Sequence, residues 1–447
     1  MKIVVAGAGE VGTHLAKMLC NEDHDITVID SIEENLRNIA SSLDLLTLHG
    51  SATSISILEE ANIKKADLFI SVMPTEEVNI VASILAKKLG VAKTIARIDN
   101  QEYLMPGNID YFLGMGIDYM IFPESIAAKE IIDLLHQTAT TEIVEFSGGK
   151  LLLYVMKLDE TAPVIGKTLR EVIVDPDHLE YRAIAITRNG QTIIPRGSDR
   201  FMLHDVLYAI SSPKGINDLM RMSGKEQYEA KNIMIIGGGR TAVRTAEGLG
   251  FHHNIKLIEI NREKSYRLSN LLKNTLVING DGRDMDLLAE EKLEKMDACV
   301  ALTGSSETNI LACLHAKSLG VKKTIAEVEN FNYINLAVNL GVDTIINKKL
   351  SAASRIFRFT TTSGQVASVK CLRGTDAEVL EFVAKPGSKI TKDKLKNIGF
   401  PKDAIVGGVV RDKESIIAIG STKIKAGDRV VIFALPSAFK EVGKYFS

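Results

Sequence analysis

Near its N-terminus the chain sets short apolar runs against longer stretches in which apolar positions recur every three to four residues. IVVAG from Ile3 is a continuous run closed by glycine, and Gly12–Leu19 follows it with helical spacing. ITVID from Ile26 is a second run with a polar helical stretch after it. DLFISVM from Asp67 is another, and VNIVASILAKKLG from Val78 is a helix closed by Gly90. Runs of this length alternating with helices predict a parallel sheet covered on both faces. The same order returns at IMIIG (Ile233), Ala242–Leu249, IKLIEI (Ile255) and DACVALT (Asp297). The stretches between follow a period of two and carry turn signals such as Asn189-Gly190, which predicts small β-rich modules of ~70–85 residues. PESIAAKEIIDLLHQ from Pro123 to Gln137 reads as a connecting helix, with KKLSAASRIFRF from Lys348 as its counterpart, and Ser223–Lys231 reads as a linker.

This recurrence is a duplication. Residues 50–100 align without a gap to residues 280–330, at an offset of 230. EVNIVASILAKKLGVAKTIARIDN from Glu77 and ETNILACLHAKSLGVKKTIAEVEN from Glu307 share 14 of 24 positions, far beyond chance. The openings KIVVAGAGEVG (Lys2) and NIMIIGGGRTA (Asn232) also correspond. A fainter repeat, at an offset of 223, pairs Arg188 with Arg411, Gly197 with Gly420, Asp205 with Asp428 and Pro213 with Pro436. The expected order is N1–C1–N2–C2, with N1 at 1–122, C1 at 138–222, N2 at 231–348 and C2 at 363–447. The fold class is α/β: two Rossmann-like parallel-sheet domains, each followed by a small β-rich α+β module.

Composition narrows the function classes. With 45% hydrophobic and 25% charged residues the 447-residue chain is ordinarily globular, and a net charge of −2 gives it no pull towards nucleic acid. Cys20, Cys299, Cys313 and Cys371 are scattered without a CxxC pair, so reduced thiols in a cytoplasmic setting are expected, with neither disulfide framework nor zinc site. Met1–Gly7 lacks the length and cleavage site of a signal peptide, so none is expected, and no apolar run reaches the ~18 residues a membrane span needs.

The chemistry concentrates in the glycine loops. Gly7-Ala8-Gly9-Glu10-Val11-Gly12 lies between a strand and a helix. Gly7 permits the tight turn, Gly9 lets the backbone approach a pyrophosphate, and Gly12 lets the helix pack on the sheet. The helix N-terminus then offers free N–H groups to phosphate. Asp30 closes the second strand, where a carboxylate takes a ribose 2′-hydroxyl and repels a 2′-phosphate, which favours NAD(H) over NADP(H). In the second copy, Gly237-Gly238-Gly239-Arg240-Thr241-Ala242 puts alanine at the third glycine, Glu259 replaces Asp30, and Arg240 replaces Glu10. Arg97 becomes Glu327. The two sites are therefore expected to differ in ligand preference.

Other polar residues have plainer readings. Glu77 and Glu307, with Asn79 and Asn309, fit helix capping and first-turn charge, and Asp67 and Asp297 fit turn closure. His252-His253 lacks metal-ligand spacing, so no metal is expected. An NAD-dependent oxidoreductase with duplicated cofactor domains is the alternative reading. It would need an acid or base from the modules after each Rossmann unit. His204, beside Asp205 in C1, has no counterpart in C2, which contains no histidine. No catalytic residue is expected.

The chain resembles the tandem RCK/KTN group, the TrkA family of peripheral NAD-binding subunits of bacterial Trk potassium uptake. The residues that carry the likeness are KIVVAGAGEVG at Lys2, DITVID at Asp25, TIARI at Thr94, the MIIGGG opening of N2, PVIGKTLREV at Pro163 and AIVGGVVRDKE at Ala404. The resemblance implies a ring of such domains, from a homotetramer or an equivalent dimer arrangement, beneath a membrane-embedded potassium channel subunit of TrkH or TrkG type. It also implies NAD(H) and ATP or ADP at the N domains. Carried over by position, the N1 pocket is Gly7–Gly12, Asp30, Ser51, Met73, Pro74 and Arg97, and the N2 pocket is Gly237–Thr241, Glu259, Asp281, Thr303 and Gly304. Glu327, in the place of Arg97, puts phosphate binding in N2 in question.

Overall fold

The computed structural model describes all residues except 21–23, 137–141, 173–178, 226–228, 358, 360–365, 373–374, 376, 413 and 447. Gln137 and the middle of the expected linker thus lie outside the described residues. The chain divides into two compact units, one of residues 1–129 and 346–360, the other of residues 130–345 and 361–447.

The first unit is built on a parallel sheet of β1 (Lys2–Ala6), β2 (Asp25–Asp30), β3 (Leu46–His49), β4 (Leu68–Ser71), β5 (Lys93–Arg97) and β6 (Tyr119–Ile121), in the order β3-β2-β1-β4-β5-β6. Val4, Val5, Val28, Ile29, Phe69 and Ile70 are all buried, because helices cover both faces; this is why the strands read as continuous apolar runs. β3 goes beyond the alternation read from sequence. It is an edge strand with its first residue, Leu46, 64% exposed, so burial leaves little imprint on its sequence. The helix Lys348–Phe357 belongs to this unit and packs along the glycine-loop helix Glu10–Cys20. There Lys349 Nζ meets Glu10 Oε2 at 2.6 Å.

The second unit holds the matching parallel sheet: β12 (Asn232–Ile236), β13 (Asn254–Glu259), β14 (Thr275–Asn279), β15 (Ala298–Ala301), β16 (Lys323–Glu327) and β17 (Thr344–Ile346), in the order β14-β13-β12-β15-β16-β17. Here the end of the helix Pro123–His136 packs on the helix Arg240–Leu249. The approach is so close that a Cβ added to Gly248 would fall 2.4 Å from Ile132 Cδ1. The described part of the expected linker is docked at two points and exposed at others: Ser223 and Ala230 are buried, Ala230 N donates to Leu135 O at 3.1 Å, and Glu229 and Lys231 are exposed.

The two β-rich modules share one topology. In C1, β7 (Glu142–Phe146), β8 (Leu151–Lys157), β9 (Tyr181–Arg188), β10 (Gln191–Ile193) and β11 (Val206–Ser211) run in the order β10-β9-β11-β8-β7. In C2, β18 (Val366–Cys371), β19 (Glu378–Val383), β20 (Ala404–Arg411), β21 (Glu414–Ile417) and β22 (Arg429–Ala434) run in the order β18-β19-β22-β20-β21. The faint repeat marks a bidentate ion pair in each. Arg188 binds Asp205 through Nε and Nη2, both at 2.8 Å, and Arg411 binds Asp428 the same way at 2.9 and 2.7 Å. Both aspartates are buried, so the pairing is what makes their burial tolerable. The modules are not independent. Phe146, Leu151, Val155 and Ile184 of C1 form a single core with Val379, Val410 and Phe433 of C2. The rings of Tyr208 and Phe433 lie 5.8 Å apart. Among the described residues no helix is long and apolar enough to cross a membrane.

Candidate functional site

In an open parallel sheet the ends of successive strands meet along one edge, and the chain reverses direction in strand order beside the first strand. In N1 this places the loop after β1 between the ends of β2 and β4. The three glycines there have separable causes. Gly7 has φ +108°, a conformation side chains disfavour, and an added Cβ would lie 3.2 Å from Met73. A Cβ on Gly12 would fall 1.8 Å from the Gly7 carbonyl oxygen. A Cβ on Gly9 would meet nothing within 4 Å. The protein's own packing therefore accounts for Gly7 and Gly12 but not for Gly9, which fronts open space. The helix starts there, with Thr13 N donating to Gly9 O at 2.8 Å, so the amides of Glu10, Val11 and Gly12 are first-turn donors with no partner inside the helix.

The neighbouring strand ends complete the edge. Asp30 accepts from Ala8 N (2.6 Å) through Oδ2 and from Ile32 N (2.8 Å) through Oδ1. Each oxygen keeps further lone-pair capacity, and the carboxylate is held in place by the glycine loop itself. Gly50 N donates to Asp30 O, which sets Ser51 beside it, and the Ser51 hydroxyl bonds that of Thr53 at 2.8 Å. Met73 and Pro74 follow β4. Arg97 ends β5, pairs with Asp99 at 3.2 Å, and has a buried Nε that makes no hydrogen bond.

N2 repeats the frame with paired compensations. Gly237 has φ +97°. Glu259 reaches the loop as Asp30 does, accepting from Gly238 N at 3.0 Å and Asn261 N at 2.8 Å. Its extra methylene fits because Gly238 stands where N1 has Ala8: a Cβ on Gly238 would lie 2.8 Å from Glu259 Oε2. Burial raises the Glu259 carboxyl pKa, but hydrogen bonds from the Asn261 amide, Lys264 and the Gly238 amide outweigh it, leaving the pKa below the ordinary value. Gly239 meets only Leu302 O, at an ordinary 3.7 Å, so it too is unexplained by packing. Thr241 and Ala242 are buried in the first turn, and Arg240 is exposed. Asp281, in the place of Ser51, is clamped by Arg283, whose Nη2 lies 2.7 Å from Oδ2; the guanidinium holds the Asp281 carboxyl below its usual range. Glu327 is buried at the end of β16.

The geometry corrects several sequence expectations. Asn79 and Asn309 are not caps. Both are buried hubs, because each amide bridges two strand ends. Asn79 Oδ1 accepts from Met73 N (2.8 Å) and Ser71 Oγ (2.7 Å), and its Nδ2 donates to Met73 O and Arg97 O. Asn309 does the same with Thr303 N, Thr303 Oγ1, Thr303 O and Glu327 O. The hydroxyl has moved from Ser71 to Thr303, yet the bond is 2.7 Å in both. Glu77 and Glu307 do stand in the first turns of their helices, and Glu76 adds contacts there, its Oε2 accepting from Asp99 N and Asn100 N. Asp67 and Asp297 do not close local turns; each accepts the first amide of a neighbouring strand, from Lys2 and Asn232 respectively. His253 stands beside His136 and Glu229, a gathering that sequence spacing could not reveal.

Comparison with known proteins places these features. The TrkA-N domain model matches residues 3–123 and 233–348, and the TrkA-C domain model matches residues 153–224 and 379–447. A Trk system potassium uptake protein TrkA homolog 1 of Methanosarcina mazei is 33% identical over the full length of both chains. The Trk system potassium uptake protein TrkA of Halomonas elongata is 31% identical over 97% of this chain and 96% of its own. Among solved structures, the GsuK RCK domain superposes with a TM-score of 0.61 at 15% identity, over 99% of this chain and 94% of that one. The GsuK channel bound to NAD gives 0.60 at 15%, over 99% and 78%. At that identity the likeness is one of fold.

Proposed function

The chain belongs to the TrkA family, with two copies each of the TrkA-N and TrkA-C domains, and from that premise we propose that it is the cytoplasmic, nucleotide-responsive regulatory subunit of a Trk-type potassium uptake system. It acts as a homo-oligomeric ring on the inner face of the membrane, against a membrane-embedded channel subunit. The observation that carries the reading is Gly9, a loop glycine at which an added Cβ would meet nothing within 4 Å among the described residues. A backbone left bare at a helix N-terminus, with a fixed carboxylate beside it, fits a dinucleotide pyrophosphate and ribose.

In N1, the amides of Gly9 to Gly12 would hold the phosphates of NAD(H), ATP or ADP, Asp30 the ribose hydroxyls, and Arg97 added phosphate charge. Ser51, Met73 and Pro74 would border the base and sugar. In N2, Gly237–Thr241, Glu259, Asp281, Thr303 and Gly304 take these places. Buried Glu327 disfavours the extra negative charge that Arg97 welcomes, so the two sites discriminate between nucleotides. A nucleotide that prefers one ring geometry shifts the channel equilibrium by its differential affinity for the two.

The test is calorimetric titration of NADH and ATP into the full chain and two variants. Gly9→Ala is expected to melt within about a degree of wild type and to lose roughly tenfold or more in NADH affinity. Arg97→Ala is expected to weaken ATP more than NADH. Unchanged affinities in both variants overturn the assignment. Substrate-dependent NADH oxidation would instead favour an oxidoreductase.

A further inference from the structure

His136, Glu229 and His253 come from the end of the helix Pro123–His136, the segment entering β12 and the turn before β13. Their ligating atoms lie within 4.8 Å of one another. Glu229 Oε1 is 2.9 Å from His136 Nδ1 and 3.3 Å from His253 Nε2, and the two rings meet edge to face at 5.4 Å. His253 decides the chemistry. Its side chain is 2% exposed, and its Nδ1 lies 2.8 Å from the Leu249 carbonyl oxygen. A carbonyl can only accept, so Nδ1 carries a proton and Nε2 is the nitrogen turned towards Glu229. That buried Nε2 makes no hydrogen bond and faces a carboxylate oxygen. A lone pair at Nε2 would repel the carboxylate at this distance, and a cation held between the two atoms would satisfy both.

We propose that His136, Glu229 and His253 form a binding site for a divalent transition-metal ion of the Zn²⁺ class. Two imidazoles and one carboxylate are borderline donors that suit Zn²⁺ and not Mg²⁺ or Ca²⁺. Ligand–metal distances of about 2.0–2.2 Å put tetrahedral donors roughly 3.3–3.6 Å apart, and Glu229 Oε1 already stands 2.9 and 3.3 Å from the two nitrogens. The Leu249 carbonyl supplies the outer hydrogen bond that fixes a ligating histidine's tautomer. To ligate through Nδ1, a neutral His136 ring carries its one proton on Nε2 and an imidazolium gives its Nδ1 proton to solvent, while Glu229 ligates through a carboxylate oxygen. His136 and Glu229 are partly exposed, which gives an entry path and leaves a fourth position for water. The ion would fasten the helix end to the second parallel-sheet domain, independently of any nucleotide.

The experiment titrates Zn²⁺ into chelator-treated, untagged full-length protein, beside His136→Gln and Glu229→Gln. Co²⁺ absorption serves as a coordination readout. One equivalent of Zn²⁺ per chain, a tetrahedral Co²⁺ band and at least tenfold weaker binding by each variant are expected, with NADH affinity unaltered. Two results overturn the proposal: binding well below one equivalent, or equal binding by wild type and His136→Gln. The second would place the metal on other histidines and leave a protonated His253 as the cation beside Glu229.

Discussion

The pair formed by residues 8 and 30, and repeated at 238 and 259, shows how one side chain sets the room available to another. Ala8 goes with the short Asp30, and Gly238 with the longer Glu259, because the added methylene brings the carboxylate to where a methyl would be. Asp30→Glu alone should therefore press on Ala8, while Ala8→Gly with Asp30→Glu should restore the fit. Thermal unfolding of the single and double variants is expected to give a coupling of about 0.5–3 kcal/mol; additive effects would show that the two residues are independent. Glu259 also has a pH signature. Its folded-state pKa is lowered, so its contribution is complete above the unfolded value of 4.5 and is lost as pH falls through the folded value. Glu259→Gln should then remove part of the loss of stability seen on acidification below that value, and parallel wild-type and variant profiles would refute this.

Among the elements, the parallel strands were the most legible. Val4, Val5, Phe69 and Ile70 are buried on both faces and read as apolar runs, and the offset of 230 located their second set. β3 was illegible because its residues meet solvent. Asn79 was illegible for another reason: an asparagine in a first helical turn has the composition of a cap, and only the meeting of the ends of β4 and β5 above it makes it a hub. Its four bonds make a strong prediction. Asn79→Ala should cost about 3 kcal/mol, with Asn309→Ala comparable, since buried amide groups lose their partners. Chemical denaturation measures both, and losses under ~0.5 kcal/mol, the range of ordinary surface substitutions, would contradict the bridging role. In the candidate site, the loop glycines and both carboxylates could be read from motif spacing. Arg283 on Asp281 and the gathering of His136, Glu229 and His253 could not, since they depend on side-chain reach or on segments far apart in the chain.

At the scale of the whole molecule, the two β-rich modules share a core, so that their repeat describes two halves of one packed body. Gly407 and Gly408 of β20 show the closeness of that contact. A Cβ on Gly408 would lie 2.7 Å from Leu151, and one on Gly407 3.2 Å from Ile210. Phe433→Ala should destabilise the second unit by about 3–5 kcal/mol, and calorimetry should show C1 and C2 still melting together. Separate transitions for the modules would show that the shared core does not couple them.

The helix Lys348–Phe357, seated on Glu10–Cys20, bears on how the protein is made. The first sheet leaves the ribosome early, but the element that covers its glycine-loop helix is encoded after the intervening stretch Glu130–Ile345. At ~5–20 residues per second, translation of that stretch lasts on the order of ten to forty seconds. Throughout that interval the nascent first domain carries an uncovered helix flank, including Glu10 without Lys349, and it is then that chaperones would have most to hold.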